Sequence, residues 1–334
     1  MTPGVESLVG KAAPSLTAIQ EPVRERLDLV SEEIRRIVVS DFPTIEEVND
    51  YLLLMRGKMF RPTLLLLANE IGDRPRDAAI TLAAVVELVH LATLVHDDAV
   101  DHSVLRRGLP TVNALWTHQK AIIMGDYLYS RSVSELARLG ILEAVTVMAD
   151  AANEMSVGEM RQLTSYDALD FSEADYYRLI AAKTASLMGA ACELGALVGG
   201  PEHRAAMTCF GHNLGMAFQI ADDLLDYTGS EDVTGKPAGQ DLRERKVTLP
   251  LVGALERLTP AELAEVRRFF TLLDPGEDEI LRIVEIVGER GGLDYAQSRA
   301  MEYAERAESA LEGADGWPVE ALRRAVAYAV ARSR

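Results

Sequence analysis

Cysteine is scarce in this chain, which has only two cysteines among its 334 residues. Cys192 and Cys209 show neither a metal-binding nor a redox spacing, so a disulfide framework and a zinc ribbon are both excluded. We expect both thiols to be small buried side chains in a reducing compartment, and the protein to be cytoplasmic.

Positive charge is also in short supply. The chain has 34 lysines and arginines against 52 aspartates and glutamates, a net charge of −18, and no long basic run. Nucleic acid is therefore excluded as a partner. There is no glycine-rich loop of the Walker type, which argues against ATP or GTP.

Long apolar runs are rare, and none reads as a membrane anchor. The longest run, residues 78–95, contains Glu87 and His90 and continues into Asp97 and Asp98. A helix buried inside a bundle fits this pattern better than a membrane span. Residues 1–16 lack the basic start and apolar core of a secretory signal. Any membrane contact is expected to be peripheral and transient.

The periodicity predicts a single all-α domain over residues 1–334, with residues 1–14 poorly ordered. No convincing alternating strand is visible. Thr44 with Glu47 and Thr259 with Glu262 read as capping boxes, and residues 172–175 as a weaker one. Two irregular segments, 106–111 and 228–245, are predicted loops, and the second is a candidate lid. Core helices are predicted over about 79–100, 115–138, 141–164, 173–199 and 203–228.

Two copies of an Asp-Asp-x-x-Asp pattern are the strongest signal in the sequence. Each follows an apolar run, and residues four apart share one helix face. Two carboxylates about 5 Å apart repel by roughly 3 kcal/mol at an effective dielectric of about 20, so converging clusters need cations. Carboxylates with substrate phosphates suit Mg²⁺, although either copy alone could be a solvated helix face. The candidate metal ligands are Asp97, Asp98, Asp101, Asp222, Asp223 and Asp226.

Basic residues accompany both acidic clusters. An arginine fork binds phosphate through two nitrogens, and a lysine supplies a point charge. Each cation alone could be an ordinary solvated side chain, but together they suit a polyanion that is bridged by metal. These cations are Lys58, Arg61, Arg106, Arg107, Lys183, Lys236 and Lys246.

Two histidines near the first cluster have less certain roles. Glu87 and His90 form an E-x-x-H pattern, which di-iron carboxylate bundles carry twice. It occurs once here, which argues against a di-iron centre. His90 is either a hydrogen-bonded core histidine or a phosphate contact. His96 is expected to pack beside the first cluster or support it rather than bind metal.

This ordered set of motifs resembles the trans-isoprenyl diphosphate synthases, or polyprenyl synthases, and most of all their medium- and long-chain members. The resemblance extends from about residue 57 to residue 250. It rests on Gly57-Lys58, Arg61-Pro62, Glu87 with His90, His96 to Asp101, Arg106-Arg107-Gly108, Gly125-Asp126-Tyr127, Gly158-Glu159 with Gln162, Lys183-Thr184, Phe218-Gln219, Asp222 to Asp226, Gly235-Lys236-Pro237 and Asp241 to Pro250.

The resemblance implies an isoprenoid-synthase-type helical bundle that forms a homodimer. The two acidic clusters would face each other at the mouth of a deep apolar cavity and hold a cluster of Mg²⁺ ions on an allylic diphosphate. It implies that this allylic diphosphate is also contacted by Arg106, Lys183 and Lys236. Thr184 and Gln219 would line the site near the reacting carbons, and Lys246 would lie on its rim. Isopentenyl diphosphate would be bound by Lys58, Arg61, His90 and Arg107.

The implied reaction begins when the allylic diphosphate ionises. The isopentenyl double bond then attacks the cation, and loss of a proton leaves an allylic product that is longer by one isoprene unit. The catalytic residues would be Asp97, Asp98, Asp101, Lys183, Thr184, Gln219 and Asp222. Two departures from the family pattern, Arg56 and Arg245 in place of glycine, remove no ligand.

Product length in this family is limited by bulky residues on the cavity wall before the first cluster. Ala92 precedes Asp97 by five residues, about 7.5 Å along a helix. Val89, Ala92 and Thr93 are not bulky, so a product longer than geranylgeranyl diphosphate is expected. The alternative is that these small residues only allow helices to pack and that the product is short.

Two further functions compete with chain elongation. A class I terpene cyclase would carry a different second metal motif. A non-catalytic subunit of a heteromeric synthase would tend to lose an acidic cluster or the diphosphate-binding cations. Both clusters and these cations are present here, which favours an active prenyltransferase.

Overall fold

The computed structural model of the protein describes residues 14–55, 57–72, 76–164, 168–229 and 239–331. The expectation for residues 1–14 therefore falls almost entirely outside the described residues. So do the predicted substrate contact Lys236 and the departure at Arg56.

The described chain is almost entirely helical, as its periodicity predicts. Short 3₁₀ turns precede α2, α9 and α11, and a π-helical turn, Ala181–Ala185, joins α9 to α10. The α-helices are α1 (Leu16–Gln20), α2 (Arg24–Val38), α3 (Pro43–Leu54), α4 (Phe60–Glu70), α5 (Ala78–Val100), α6 (Val112–Leu115), α7 (His118–Leu139), α8 (Leu142–Thr164), α9 (Glu173–Ile180), α10 (Ser186–Gly199), α11 (Arg204–Thr228), α12 (Gln240–Arg243), α13 (Leu249–Leu255), α14 (Pro260–Thr271), α15 (Glu277–Glu289), α16 (Gly292–Ser309) and α17 (Trp317–Ala331).

The centre of the bundle is formed by α5, α10 and α11, packed with α4, α7 and α16. By length and composition α5 could cross a membrane, but most of it is buried inside the bundle, as expected. Glycine lets two of the contacts become close. A Cβ at Gly195 would lie 2.2 Å from the Leu65 carbonyl oxygen, and one at Gly211 would lie 2.5 Å from the Met188 carbonyl oxygen. The helix backbones therefore touch where a larger residue would separate them.

A short hairpin follows the first acidic cluster, within a segment predicted to be irregular. Strand β1 (Leu105–Arg106) pairs antiparallel with β2 (Leu109–Pro110). The two turn residues, Arg107 and Gly108, have φ of 53° and 77°. Positive φ at both positions defines a type I′ turn, whose twist matches that of paired strands. The hairpin thus fixes two consecutive arginines on a rigid turn.

Several local predictions can be compared with the structure. The capping boxes of α14 and α9 are present as predicted. The prediction of a capping box at Thr44 is wrong, because α3 begins at Pro43 and Thr44 lies inside the helix. The N-cap residue is Phe42, which makes no side-chain hydrogen bond to the helix. Proline favours that first helical position since it needs no N–H donor there. Cys192 is buried as expected, but Cys209 is exposed.

The hydrophobic core is continuous across the described chain. A main cluster extends over α1–α8, α10, α11, α16 and α17, and a second is formed by α11–α15. A third cluster, around Tyr176 and Ile220, lies between them. Phe171 and Leu293 pack against both the second and the third cluster. The three clusters are therefore in contact with one another through shared side chains.

Candidate active site

One cavity of about 1800 Å³ brings the two acidic clusters and the predicted cations together. Asp97 and Asp101 line it from α5, and Asp222 and Asp223 from α11. Its walls include every described residue predicted to bind substrate, namely Lys58, Arg61, His90, Arg106, Arg107, Lys183, Thr184, Gln219 and Lys246. The residues Asp98 and Asp226 lie behind this wall.

The first cluster divides its carboxylates between the cavity and the hairpin. Asp98 is buried and accepts hydrogen bonds from Arg106 Nε at 2.9 and 2.8 Å, while Arg106 Nη2 lies 2.8 Å from Asp98 Oδ1. This fork holds the guanidinium at the cavity wall. Asp97 faces the cavity, and burial raises the pKa of its carboxyl to about 6, although the Lys183 ammonium partly opposes the shift. A cation at Asp97 would relieve that cost.

The second arginine of the hairpin points to a different part of the cavity. Arg107 Nη1 donates to the Met55 carbonyl at 3.1 Å. A Cβ at Gly57 would lie 3.2 Å from both terminal nitrogens of Arg107 and 3.4 Å from Glu87 Oε1. A side chain at this place would press against the guanidinium of Arg107 and the carboxylate of Glu87. Arg106 and Arg107 are adjacent in sequence, yet Arg106 is bonded to Asp98 and Arg107 to the Met55 carbonyl.

Glu87, Arg61 and His90 complete the basic pocket around Arg107. Burial raises the pKa of Glu87, and the charges of Arg61 and Arg107 oppose that shift. Burial and the neighbouring arginines hold the pKa of His90 well below its usual range, so this imidazole is neutral at pH 7. Arg61 Nε is buried and has no hydrogen-bond partner in the structure. The pocket therefore offers positive charge and an unsatisfied donor to an anion.

A π-helical turn carries Lys183 and Thr184 between α9 and α10. Such turns insert one extra residue into a helix and occur often at functional sites. Lys183 Nζ lies 2.5 Å from Glu159 Oε2, donates to Gln162 Oε1 at 3.0 Å and lies 4.0 Å from Asp97 Oδ2. The ammonium is thus held between α8 and the first acidic cluster.

Thr184 begins a chain of hydrogen bonds that ends in the second acidic cluster. Its hydroxyl donates to Gln219 Oε1 at 2.8 Å, and Gln219 Nε2 donates to Asp223 Oδ1 at 2.8 Å. The hydroxyl of the buried Tyr176 donates to the other oxygen, Asp223 Oδ2, at 2.5 Å. Burial raises the pKa of Asp223 to about 7, although these two bonds favour its ionised form. Asp223 therefore lines the cavity with a carboxylate whose two oxygens are both held by hydrogen bonds.

Asp226 has a different partner, the start of α12. Its two oxygens accept from the backbone N–H groups of Gln240 at 3.1 Å and Asp241 at 3.0 Å. Burial raises the pKa of Asp241, and the nearby carboxylates add to the shift. On the rim, Lys246 Nζ donates to Glu244 Oε2 at 2.6 Å. The second cluster is therefore tied to residues 240 and 241, which belong to the lid candidate.

The donor set fits hard divalent cations. Asp97, Asp223 and Asp241 have raised pKa values because desolvation and neighbouring negative charge oppose their ionisation. Cations would remove that penalty, and oxygen-only donors suit Mg²⁺ or Ca²⁺. Within the described ranges, no three carboxylate, histidine or cysteine groups are close enough to enclose an ion by themselves. The geometry leaves coordination positions to be filled by a ligand such as a diphosphate.

The three residues predicted to limit product length do not all lie on the cavity wall. Thr93 lines the cavity, whereas Val89 and Ala92 are buried and do not. His90, Thr93 and Asp97 lie at helical spacing on the cavity face of α5. Val89, Ala92 and His96 fall on the adjacent face, where a Cβ at Gly125 of α7 would lie 2.3 Å from His96 Nε2. The small residues at 89 and 92 serve the packing of α5.

Five residues around the site had no role assigned from sequence. Glu159 and Gln162 hold Lys183, and their i, i+3 spacing on a helix could have indicated a shared partner. Tyr176 lies in the periodic pattern of an ordinary core residue, so no signal distinguished it. Glu87 and Asp241 are charged residues in recognised motifs, but their burial could not be read from spacing.

Fold and site together define a class: an all-α protein whose cavity matches a substrate with an anionic head and an apolar tail. The family model of the polyprenyl synthetases matches residues 42–287. The chain is 35% identical over 302 residues to the octaprenyl diphosphate synthase of Escherichia coli, covering 89% of this chain and 93% of the relative.

Two further comparisons agree. A short chain isoprenyl diphosphate synthase of Methanothermobacter thermautotrophicus is 35% identical over 303 residues, 88% of this chain and 92% of the relative. A polyprenyl synthase from Caulobacter crescentus, solved with calcium and isoprenyl diphosphate, superposes with a TM-score of 0.90 at 34% identity and covers 97% of this chain and 99% of that one.

The chain therefore belongs to the polyprenyl synthetase family and has its all-α fold. It is an enzyme that transfers prenyl groups, and enzymes of this family depend on divalent metal.

Proposed function

We propose that this protein condenses isopentenyl diphosphate with an allylic diphosphate, head to tail and trans, to make a polyprenyl diphosphate longer than geranylgeranyl diphosphate. One observation carries the proposal: a single cavity contains both acidic clusters and two separate groups of cations. The first group includes Lys183 and Arg106, and the second includes Arg61 and Arg107. Two diphosphates can therefore bind side by side, which supplies much of the rate of a two-substrate reaction.

The allylic diphosphate would bind between the two acidic clusters. Asp97, Asp101 and Asp222 would hold several Mg²⁺ ions, with Asp98, Asp223 and Asp226 in support. Bound there, the metal would neutralise the charge that develops on the departing diphosphate. Arg106 and Lys183 add preorganised positive charge at the same place. Lys236 is proposed to join them from the lid candidate.

Isopentenyl diphosphate would bind at the second group of cations. Arg61 and Arg107 supply guanidinium groups, Lys58 a further charge, and the neutral His90 can donate one hydrogen bond without adding charge. Thr184 and Gln219 also line the cavity and are bonded to each other, and we propose that they lie beside the reacting carbons. Lys246 completes the rim. Closure of the lid over this space would keep water from the allylic cation.

The product would grow along the cavity wall that contains Thr93. No aromatic side chain stands at that position, which supports a long product. The short-chain alternative is distinguished by the assay below, because a short-chain synthase would stop at about three or four isoprene units, which are fifteen or twenty carbons. We propose a cytoplasmic location, in agreement with two unpaired cysteines.

The proposed homodimer is supported by an exposed apolar stripe on α7. Ile122, Tyr129 and Val133 are 49%, 39% and 42% exposed, and they recur at helical spacing. A face of this kind usually marks an interface. Ile122→Asp should convert a dimer to a monomer in sedimentation velocity. A wild-type protein that sediments as a monomer would refute the dimer.

The test of function is product analysis with purified protein, Mg²⁺, isopentenyl diphosphate and, separately, dimethylallyl, geranyl, farnesyl and geranylgeranyl diphosphates. Long-chain products are expected. Asp97→Asn and Asp222→Asn should abolish turnover, whereas Asp150→Asn, an exposed position on α8 away from the cavity, should not. Cyclic hydrocarbon products would indicate a cyclase. No turnover by the folded wild type with any primer would favour a non-catalytic subunit.

A further inference from the structure

Two histidines outside the cavity meet at the junction between the first acidic cluster and α7. His102 follows the cluster, and His118 is the first residue of α7. His102 Nδ1 and His118 Nε2 are 3.0 Å apart, and the ring planes are inclined by 83°. Neither residue lines the cavity. The six histidines of the chain offer no other pair in ring contact within the described residues.

The backbone on both sides of this pair is held in place. Ser103 N–H donates to the Asp98 carbonyl at 3.0 Å, and the Ser103 carbonyl accepts from Thr111 Oγ1 at 2.7 Å and Asn113 Nδ2 at 2.9 Å. Thr117 caps α7 by accepting from Lys120 N–H at 3.1 Å. The two rings therefore project from fixed supports, which is what a preorganised site requires.

His102 also adopts an unusual backbone conformation. Its φ is 53°, in the left-handed region that residues other than glycine seldom occupy. Strained backbone of this kind tends to occur where it aims a side chain for a purpose. Here the left-handed turn directs the imidazole toward α7.

The ring geometry is that of two nitrogens sharing one ion. With metal–nitrogen bonds of about 2.0–2.1 Å, nitrogens 3.0 Å apart subtend about 94° at a common metal. The ring centroids are 4.7 Å apart. If the two imidazoles met head-on through one N–H···N bond of this length, their ring centroids would be about 5.3 Å apart. The shorter observed centroid distance shows that the two rings are inclined toward a common point beside the N···N line.

We infer that His102 and His118 form a binding site for a late first-row transition-metal ion, with water completing the coordination. An angle of about 94° matches neighbouring positions of square-planar or octahedral Ni²⁺ or Cu²⁺ better than tetrahedral Zn²⁺. Imidazole nitrogens prefer such ions, whereas the carboxylates of the cavity prefer Mg²⁺. The two kinds of site would therefore select different metals from one solution. A bound ion would clamp the hairpin segment to α7.

The experiment is calorimetric titration of Ni²⁺ into the untagged full-length protein, in a large excess of Mg²⁺ that saturates the carboxylate sites. We expect one equivalent bound per chain. His102→Gln and His118→Gln should each weaken binding by at least about tenfold, since each removes one of two protein ligands. His203→Gln, at a histidine far along the sequence in the turn before α11, is the matched control and should bind as the wild type does.

Thermal melting provides a second readout, because an ion that binds only the folded state raises the melting temperature. Ni²⁺ should raise it in the wild type and in His203→Gln, but not in His118→Gln. The inference is overturned if Ni²⁺ does not bind in excess Mg²⁺, or if both single variants bind as tightly as the wild type. It does not depend on the proposed reaction, since neither readout uses turnover.

Discussion

Tyr176→Phe isolates the contribution of one buried hydroxyl to the second acidic cluster. Tyr176 is 1% exposed and Asp223 is 6% exposed, and their oxygens are 2.5 Å apart. The substitution leaves the ring in place and removes one of the two side-chain donors of the Asp223 carboxylate. A hydrogen bond to a charged group contributes about 1.5–3 kcal/mol to stability. For a chain of this size that corresponds to a melting temperature lower by about 2–5 °C.

The same change should affect metal activation. Without the Tyr176 hydroxyl, Asp223 is held by Gln219 alone, so the backbone segment that presents Asp222 has one restraint fewer. We expect the Mg²⁺ concentration for half-maximal rate to rise and kcat to fall by about tenfold, equivalent to about 1.4 kcal/mol. The KM for isopentenyl diphosphate should not change, because the cations that bind it lie elsewhere in the cavity.

Tyr177→Phe is the matched control for this measurement. Its hydroxyl donates to Glu173 Oε1 at 2.9 Å, so that variant also loses a bond to a carboxylate, but one outside the second acidic cluster. It should lose stability without altering the Mg²⁺ dependence. Equal shifts in both tyrosine variants, or an unchanged Mg²⁺ dependence in Tyr176→Phe, would show that the hydroxyl does not position the cluster.

Three further outcomes are expected. Thr93→Phe should shorten the products seen by chromatography because the ring enters the cavity. Ala92→Phe should mainly lower the melting temperature, because it overpacks a buried face of α5. Equal product lengths in wild type and Thr93→Phe would show that Thr93 does not line the path of the growing chain. Gly125→Ala should destabilise the fold by about 1–3 kcal/mol in urea unfolding, since its Cβ would lie 2.3 Å from His96 Nε2, and a wild-type midpoint would refute that contact. Removal of divalent metal with EDTA should abolish turnover and added Mg²⁺ should restore it; activity that persists after chelation would contradict the metal assignment.

The helices and the clustering of charged motifs could be predicted because both depend on local spacing. The long apolar run of α5 and its terminal aspartates specify a buried helix that ends at a polar site. That Asp97 and Asp222 share a cavity was implied by the family resemblance and not by this spacing. The family resemblance supplied the cations that belong to each diphosphate.

What could not be predicted depends on how helices rotate against each other. The assignment of Ala92 to the cavity wall used distance along the helix, but a rotation of about 100° per residue separates its face from that of Thr93. Tyr176 reaches Asp223 across 47 positions of sequence, and nothing in its own neighbourhood indicates that partner. The division of the aspartates into those facing the cavity and those held behind it likewise depends on packing.

The π-helical turn at Ala181–Ala185 limits how this enzyme can be redesigned. An inserted residue rotates all that follows it by about 100° relative to what precedes it, so Lys183 and Thr184 face the cavity while α10 keeps its glycine contacts with α4 and α11. If a regular α-helix of equal length replaced this turn, either Lys183 and Thr184 would turn away from the cavity or α10 would lose its glycine contacts. A thermostabilised version that idealises the helix would therefore lose either its packing or its active-site lysine, and protein engineers should treat this segment as fixed.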